Sequence, residues 1–131
     1  MRAVLDDYLG RIGRYAKLEE IELKDISLDK LRDRFVRYLE DDGRTVALEV
    51  GGERWSSDDL AKQVGDCELR SVPSLTFFIG GSYGLPREVS ENADLRFSLG
   101  AITLPHRLAR VVLAEQIYRA FTILRGEPYS H

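Results

Sequence analysis

Cysteine, histidine and long apolar segments are scarce in this sequence of 131 residues. A single cysteine, Cys67, excludes an internal disulfide framework, and with only two histidines beside it a structural zinc site is disfavoured. The longest apolar runs, such as Leu75–Ile79, are far too short to span a bilayer. No charged segment followed by an apolar stretch opens the chain, so the sequence shows no sign of secretion. We therefore expect a protein of the reducing cytoplasm that holds no metal and contacts no membrane.

The residues that are present have the proportions of one globular domain over residues 1–131, since 44% are hydrophobic and 31% are charged. The net charge of −3 argues against generic nucleic-acid binding. The basic residues are nevertheless biased, with 15 arginines against four lysines, and residues 96–125 hold five arginines against one acid, Glu115. A guanidinium is a planar fork that suits phosphates and base edges. These arginines either form a local RNA-binding face or only solvate the surface of a helix.

Helical and strand patterns alternate along the chain. Spacings of three and four between apolar residues, together with capping residues, predict five helices. Four of them cover residues 3–15, 56–64, 86–93 and 106–124, and another begins at a cap at residue 27 or 29 and is ended by residue 43. Apolar or β-branched runs predict strands over residues 18–23, 45–50, 74–79 and 95–99. Gly51 and Gly52 are expected to break the second of these strands. The alternation predicts an α/β fold with a mostly parallel sheet flanked by helices.

Three glycine-containing loops, at residues 51–55, 80–86 and 100–105, follow apolar strands at the edge where parallel sheets bind ligands. Gly80 and Gly81 allow a ligand to approach the backbone closely, although no phosphate-binding loop motif follows them. The loop at residues 100–105 is unusually apolar. Either the last helix buries it, or it lines a pocket for a flat apolar group such as an adenine.

Three positions near the end of the chain could carry chemistry. His106 opens the last predicted helix, where it either packs or caps the helix or faces a site. Arg119 lies further along that helix and points into a site or into solvent. Tyr129 belongs to a terminal tail, and most such tails are frayed. The sequence shows no Ser/His/Asp order, no His-Glu-x-x-His motif and no convincing pair of carboxylates.

Several exact stretches carry a resemblance to a known family. They read Ile-Gly-Gly-Ser-Tyr-Gly-Leu at residues 79–85, Leu-Pro-His at 104–106, Arg-Val-Val-Leu-Ala-Glu-Gln-Ile-Tyr-Arg-Ala-Phe at 110–121 and Arg-Gly-Glu-Pro-Tyr at 125–129. Residues 8–12 and 47–52 also fit. By these motifs the sequence resembles the RlmH family of bacterial SPOUT methyltransferases, which act on the large ribosomal subunit, and the likeness covers nearly the whole chain.

The resemblance implies a fold, a cofactor and a reaction. The fold is a SPOUT-type α/β knot whose C-terminal segment threads a loop as a trefoil knot. The reaction is the S-adenosylmethionine-dependent methylation of N3 of a pseudouridine in 23S rRNA of assembled ribosomes. The family works as a homodimer in which the partner subunit completes each site. The implied cofactor-binding residues are Leu48, Gly80, Gly81, Leu99, Gly100, Ala101, Ile102, Thr103 and Leu104.

Four residues are the catalytic candidates under this resemblance, namely His106, Arg119, Tyr129 and His131. Arg119 would stabilise charge or orient the RNA, and the other three would position the base or take its proton. Family tails commonly end in Tyr-His, whereas Ser130 here separates Tyr129 from His131. Family members also usually open with an apolar strand and a turn that this sequence does not show ahead of its first helix.

Two other functions remain open from the sequence. A dimeric ribosome- or RNA-binding module could keep the fold without turnover, as the altered tail and the absent first strand would allow. A small-molecule-binding α/β domain without any RNA role would agree with the negative net charge.

Overall fold

Three parallel strands form a sheet at the centre of the molecule. The computed structural model describes residues 1–23, 27–39, 42–81 and 84–129, except for the side chain of residue 28. Its elements, in chain order, are α1 (Arg2–Ile12), α2 (Leu28–Leu39), β1 (Arg44–Arg54), α3 (Ser57–Leu69), β2 (Leu75–Ile79), α4 (Arg87–Asn92), β3 (Leu95–Ser98) and α5 (His106–Arg125). This order confirms the predicted alternation of strands and helices.

The sheet has the order β2-β1-β3, and β1 pairs in parallel with both neighbours. Parallel neighbours need crossover connections, which α3 supplies between β1 and β2 and α4 between β2 and β3. The chain thus returns across β1 on its way from β2 to β3. All three strands end at one edge of the sheet, so the loops that follow them lie close together.

Helices cover both faces of the sheet. Successive side chains of a strand point to opposite faces. On β2, Phe77 packs against the core shared by α1, α3 and α5, whereas the ring of Phe78 meets Phe35 of α2 edge-on, with 6.0 Å between the ring centroids. Val46 and Phe97 of the sheet enclose Leu113 of α5. The long helix α5 is therefore the main support of one face, and α2 and α4 lie on the other.

Capping contacts account for several helix boundaries. Ser56 and Asp59 form a reciprocal capping box at the start of α3, with distances of 3.1 Å and 2.9 Å between nitrogen and oxygen. The Ser27 hydroxyl accepts a hydrogen bond from the amide of Lys30, at 3.4 Å, at the start of α2. Gly126 ends α5 in the left-handed region, with φ of 67°.

Three sequence predictions need correction. Residues 18–23 form no strand, and at least four of their side chains are exposed. A strand needs a hydrogen-bonded neighbour, and an alternating sequence pattern alone does not supply one. Strand β1 continues through Gly51 and Gly52 to Arg54, with a shift in its pairing to β3 between Leu48 and Glu53. Helix α3 runs beyond Val64 as far as Leu69.

Two of the expected features stay predictions. The trefoil knot is not defined by the strands and helices described above. His131, one of the catalytic candidates, lies outside the described residues, as do Ser130 of the tail and Ser82 and Tyr83 of the glycine-containing loop. Among the residues that the structure describes, no helix is long and apolar enough to cross a membrane.

Candidate active site

A cavity of about 330 Å³ opens at the carboxyl ends of the three strands. Its walls come from the end of β1, from the glycine-containing loop after β2 and from the apolar loop between β3 and α5. The volume falls at the lower end of the roughly 300–1,000 Å³ range of small-molecule pockets. Its place, outside the strand ends of an open parallel sheet, is where α/β proteins bind their ligands.

Glycine makes the close approach of chains around this cavity possible. A Cβ atom on Gly80 would lie 2.4 Å from the backbone carbon of Gly84 and 2.6 Å from the amide nitrogen of Leu85. A Cβ atom on Gly52 would lie 2.7 Å from the backbone nitrogen of Phe97. Both distances are far below ordinary van der Waals contact, so only glycine fits these two positions without moving the backbone.

Most of the predicted cofactor-binding residues meet in this cavity. Those that line it are Leu48, Gly80, Gly81, Leu99, Gly100, Ile102 and Leu104. Ala101 and Thr103 are exposed and do not line it. The loop at residues 100–105 is thus not simply buried under α5. Its Ile102 is 79% exposed, which is an unusual position for a large apolar side chain.

Sequence reasoning missed other residues of the wall, namely Glu49, Val50, Ile79, Gly84, Leu85 and Ala109. Glu49, Val50 and Ile79 lie within two positions of the predicted residues Leu48 and Gly80 along the chain, and Gly84 and Leu85 lie in the glycine-containing loop at residues 80–86, so the ends of β1 and β2 were the available signal. Glu49 is the one acidic residue among those lining the cavity in the described part of the chain.

His106 is the catalytic candidate that lies at this cavity. It is the first residue of α5, follows Pro105, and is exposed to solvent. Pro105 has φ of −56°, which suits the entry into a helix. An imidazole in this position can accept a proton from a bound group or hydrogen-bond to it.

Arg119 and Tyr129 lie together in a second cluster, on α5 and the segment that follows it. The Arg119 guanidinium donates to the Glu115 carboxylate through Nη2 at 2.7 Å and Nε at 3.1 Å. The Tyr129 hydroxyl donates to the same carboxylate oxygen at 2.9 Å. The Arg119 guanidinium carbon also lies 5.0 Å from the centre of the Tyr129 ring. The end of the chain up to Tyr129 is therefore held in place, contrary to the usual behaviour of tails.

The surroundings of Arg119 and Tyr129 favour the protonated form of both side chains by raising their pKa values. Burial, together with hydrogen bonding to Tyr8 and to Glu115, raises the pKa of Tyr129 well above its ordinary value of about 10. Hydrogen bonding to Glu115 likewise raises the pKa of Arg119. Tyr129 is consequently a hydrogen-bond donor at neutral pH and is poorly suited to accept a proton.

The two sets of catalytic candidates are separated along α5. His106 and Arg119 are 13 positions apart, and a helix rises 1.5 Å per residue, so about 20 Å of helix lie between them. Within one chain the structure therefore brings Arg119 and Tyr129 together but does not bring them to the cavity with His106.

The arginines of the second half have different surroundings. Arg119 and Arg125 are paired with carboxylates, the latter with Glu68 at 2.8 Å, and Arg110 lies 3.5 Å from Glu20. Arg96 donates to a backbone carbonyl at 2.8 Å. Arg107 is exposed, and no partner is seen for it among the described residues. A separate cavity of about 340 Å³, between the starts of α1 and α5, has Arg107 in its wall with the two arginines at positions 2 and 110.

Comparison with known proteins decides the family. A family profile described as "Predicted SPOUT methyltransferase" matches residues 1–131. The chain belongs to the SPOUT methyltransferase family. It is 47% identical over 131 residues to a ribosomal RNA large subunit methyltransferase H of Sorangium cellulosum, a match that covers 100% of this chain and 90% of the relative. It is 40% identical to the protein of that name from Carboxydothermus hydrogenoformans, over 94% of this chain and 86% of the relative.

Family membership confirms the resemblance drawn from the motifs, and with it an enzyme of the methyltransferase class. The parallel sheet flanked by helices agrees with the expected α/β class. Among the described residues no group of three or more histidine, cysteine, aspartate or glutamate side chains is placed to hold a metal ion.

Proposed function

We propose that this protein methylates N3 of a pseudouridine in the 23S rRNA of the large ribosomal subunit, with S-adenosylmethionine as methyl donor. The observation that carries the proposal is the convergence of Leu48, Gly80 and the loop after β3 on one cavity at the strand ends. The relatives named above are large-subunit rRNA methyltransferases, and the chain covers most of their length. A ribosomal substrate implies a cytoplasmic protein.

The cavity suits the proposed cofactor in its chemistry. Leu48, Leu99 and Leu104 offer apolar surface for a flat base such as adenine, and the glycines offer accessible backbone amides and carbonyls. The exposed side chain of Ile102 stands at the cavity, where a bound ligand would cover it. Glu49 adds a negative charge to the wall. When bound, S-adenosylmethionine supplies a methyl group already activated by its positively charged sulfur.

The protein's residues then have two tasks. The lone pair of N3 forms the new bond to the methyl carbon as the carbon–sulfur bond breaks, so the nitrogen must lose its proton and must lie in line with that bond. His106, at the cavity, is the residue proposed to accept this proton. Arg119, which keeps N–H groups that do not contact Glu115, is proposed to donate hydrogen bonds to the oxygens of the base, where negative charge develops. Tyr129, whose single hydroxyl proton is donated to Glu115, is proposed to position the base.

The separation of these groups supports the proposal of a homodimer. Because about 20 Å of α5 lie between His106 and Arg119, one chain cannot place both on the same nucleotide. We propose that the active site combines the cavity and His106 of one subunit with Arg119 and Tyr129 of its partner. A two-fold symmetric dimer would contain two such sites.

The RNA contact would depend on few unpaired guanidinium groups. Three of the arginines between residues 96 and 125 have carboxylate neighbours, which reduces their attraction to phosphate. Arg107 is exposed beside His106, so it is the best placed to meet the RNA backbone next to the target nucleotide.

The test combines binding with transfer. Calorimetry with S-adenosylmethionine should show binding to the purified protein, and ribosomes that lack the modification should accept labelled methyl groups from it. Protein-free 23S rRNA serves as the comparison substrate and should be methylated poorly, since assembled ribosomes are the proposed substrate. Absence of cofactor binding would refute the proposal, whereas binding without transfer would favour the non-catalytic RNA-binding module.

A further inference from the structure

Glu115 is the centre of the second cluster, although the sequence marks it only as an isolated acid among arginines. One of its oxygens, Oε2, accepts hydrogen bonds from Arg119 Nη2, Arg119 Nε and the Tyr129 hydroxyl. Its side chain is 18% exposed, and that of Arg119 is 27% exposed. Arg119 and Tyr129, the two proposed catalytic residues of this cluster, are therefore both held by the same, mostly buried carboxylate.

The carboxylate is itself held from the other side. The Gln116 amide donates to Glu115 Oε1 at 2.7 Å, and the Gln116 oxygen accepts a hydrogen bond from the Ser57 hydroxyl at 2.6 Å. Ser57 is the first residue of α3, so this chain of contacts ties the carboxylate to a second helix. Such a hydrogen-bonded sequence restricts the rotamers of every member.

A second arginine of α5 shows what an ordinary pair looks like. Arg125 meets Glu68 through two hydrogen bonds of 2.8 Å and 3.2 Å, but both side chains are at least 40% exposed. Among the described residues, neither a tyrosine hydroxyl nor a side-chain amide donates a hydrogen bond to the Glu68 carboxylate. An exposed pair of this kind contributes little to stability or to the orientation of its arginine.

We propose that Glu115 is a positioning residue that holds the Arg119 guanidinium and the Tyr129 hydroxyl in one fixed arrangement for methyl transfer. This inference rests on the proposed function, in which both groups meet the target base. Glu115 does not act as the proton acceptor, because its oxygens are occupied by the donors described above. Its contribution is to fix the Arg119 guanidinium and the Tyr129 ring before the substrate arrives, since an arginine side chain is otherwise highly flexible.

Glu115→Gln tests the proposal, because an amide keeps the shape of the side chain but loses the charge and one acceptor. The rate of methyl transfer to saturating ribosomes should fall by about tenfold or more, as for supporting residues of other active sites. The dissociation constant for S-adenosylmethionine, measured by calorimetry, should stay within about twofold because Glu115 does not line the cofactor cavity and the groups it holds are proposed to meet the base rather than the cofactor. In an Arg119→Ala background, Glu115→Gln should cause a clearly smaller loss than in the wild type.

Glu68→Gln is the matched control, since it removes the carboxylate partner of an arginine on the same helix and should leave the rate unchanged. Thermal unfolding of each variant ensures that rates are compared between folded proteins. Should Glu115→Gln fail to fold, Ser57→Ala, which only loosens the support of Gln116, should lower the rate in the same direction.

Provided that the wild-type protein transfers methyl groups, two results would overturn this inference and leave the proposed function intact. One is a wild-type rate in Glu115→Gln, or in Ser57→Ala if that variant has to replace it. The other is an equal loss with and without Arg119, which would indicate general destabilisation. A wild-type protein that transfers no methyl group to ribosomes would instead overturn the proposed function, and this inference with it.

Discussion

Heterodimers assembled from two inactive subunits test the shared active site. Arg119→Ala removes a proposed donor to the developing charge, and losses of this kind reach about 10²–10³ in rate. His106→Ala removes the proposed proton acceptor at the cavity, and losses of about 10²–10⁴ are typical of general bases. Each homodimer should thus be nearly inactive, although both should bind S-adenosylmethionine unless His106 also contacts it.

The geometry predicts what a mixed dimer does. Since about 20 Å of α5 separate the two residues, the site with an intact cavity would use Arg119 of the His106→Ala subunit, and that arginine is unaltered. One of the two sites would then be fully wild type, and the other would carry both substitutions. A purified heterodimer should regain about half of the wild-type activity per dimer.

The assay coexpresses the two variants with different affinity tags, purifies the doubly tagged dimer and measures transfer of labelled methyl groups to ribosomes. A wild-type dimer carrying both tags sets the reference activity. If the mixed dimer is as inactive as its parents, each site is built within one chain, and the proposed arrangement of Arg119 and His106 is wrong.

Three further predictions follow from particular contacts. Gly80→Ala should destabilise the fold by about 1–3 kcal/mol and weaken cofactor binding, because its Cβ atom would collide with backbone, whereas Gly51→Ala, with nothing within 4 Å, should be nearly neutral in thermal unfolding. The hydrogen bond from Arg44 lowers the pKa of Asp66, so Asp66 stabilises the fold above the ordinary aspartate pKa of about 3.9 and loses this effect as the pH falls through its lowered pKa. The difference in unfolding free energy between wild type and Asp66→Asn should therefore shrink in acid, and a constant difference from pH 7 down to full protonation would contradict this explanation. Glu49→Gln should weaken binding of S-adenosylmethionine more than that of its uncharged thioether product in calorimetry, and equal effects on both ligands would show that Glu49 does not sense the positive sulfur.

Periodicity and capping predicted most of the fold. The capping cluster at residues 56–59 and the apolar stripe of α5 are local signals, because a helix satisfies its hydrogen bonds within its own segment. The run at residues 18–23 shows the limit of such signals. Its alternation resembles a strand, but a strand requires a neighbour to receive its hydrogen bonds, and a local pattern cannot supply one.

Glycine was harder to interpret than the apolar residues. Gly51 and Gly52 were expected to end a strand, yet β1 continues through them to Arg54, and the missing side chain of Gly52 lets the strand lie directly against the backbone of Phe97. The same sequence feature, a pair of glycines, marks a break or a close contact depending on what lies opposite. At Gly80 the close neighbour is the backbone of Gly84 and Leu85, and the approach of a ligand to this glycine stays a prediction.

The candidate site was predictable at its cavity and unpredictable at its second cluster. Leu48 and Leu99 were implied by the resemblance to the family, and both line the cavity. Glu115 accepts a hydrogen bond from Tyr129, 14 positions away, and the neighbouring Gln116 accepts one from Ser57, 59 positions away. No local sequence pattern encodes these contacts. The separation of Arg119 from His106 was already implicit in the helix predicted over residues 106–124, and the structure confirms that α5 is one continuous helix.

The most direct test of the account is to identify the product in RNA. Ribosomes lacking the modification should be incubated with the protein and S-adenosylmethionine, and their 23S rRNA digested and analysed by mass spectrometry. The account predicts one new N3-methylated pseudouridine, which should be absent when the cofactor is omitted and greatly reduced with Arg119→Ala. A methyl group on another base, on ribose or on protein, or no methyl group at all, would contradict it.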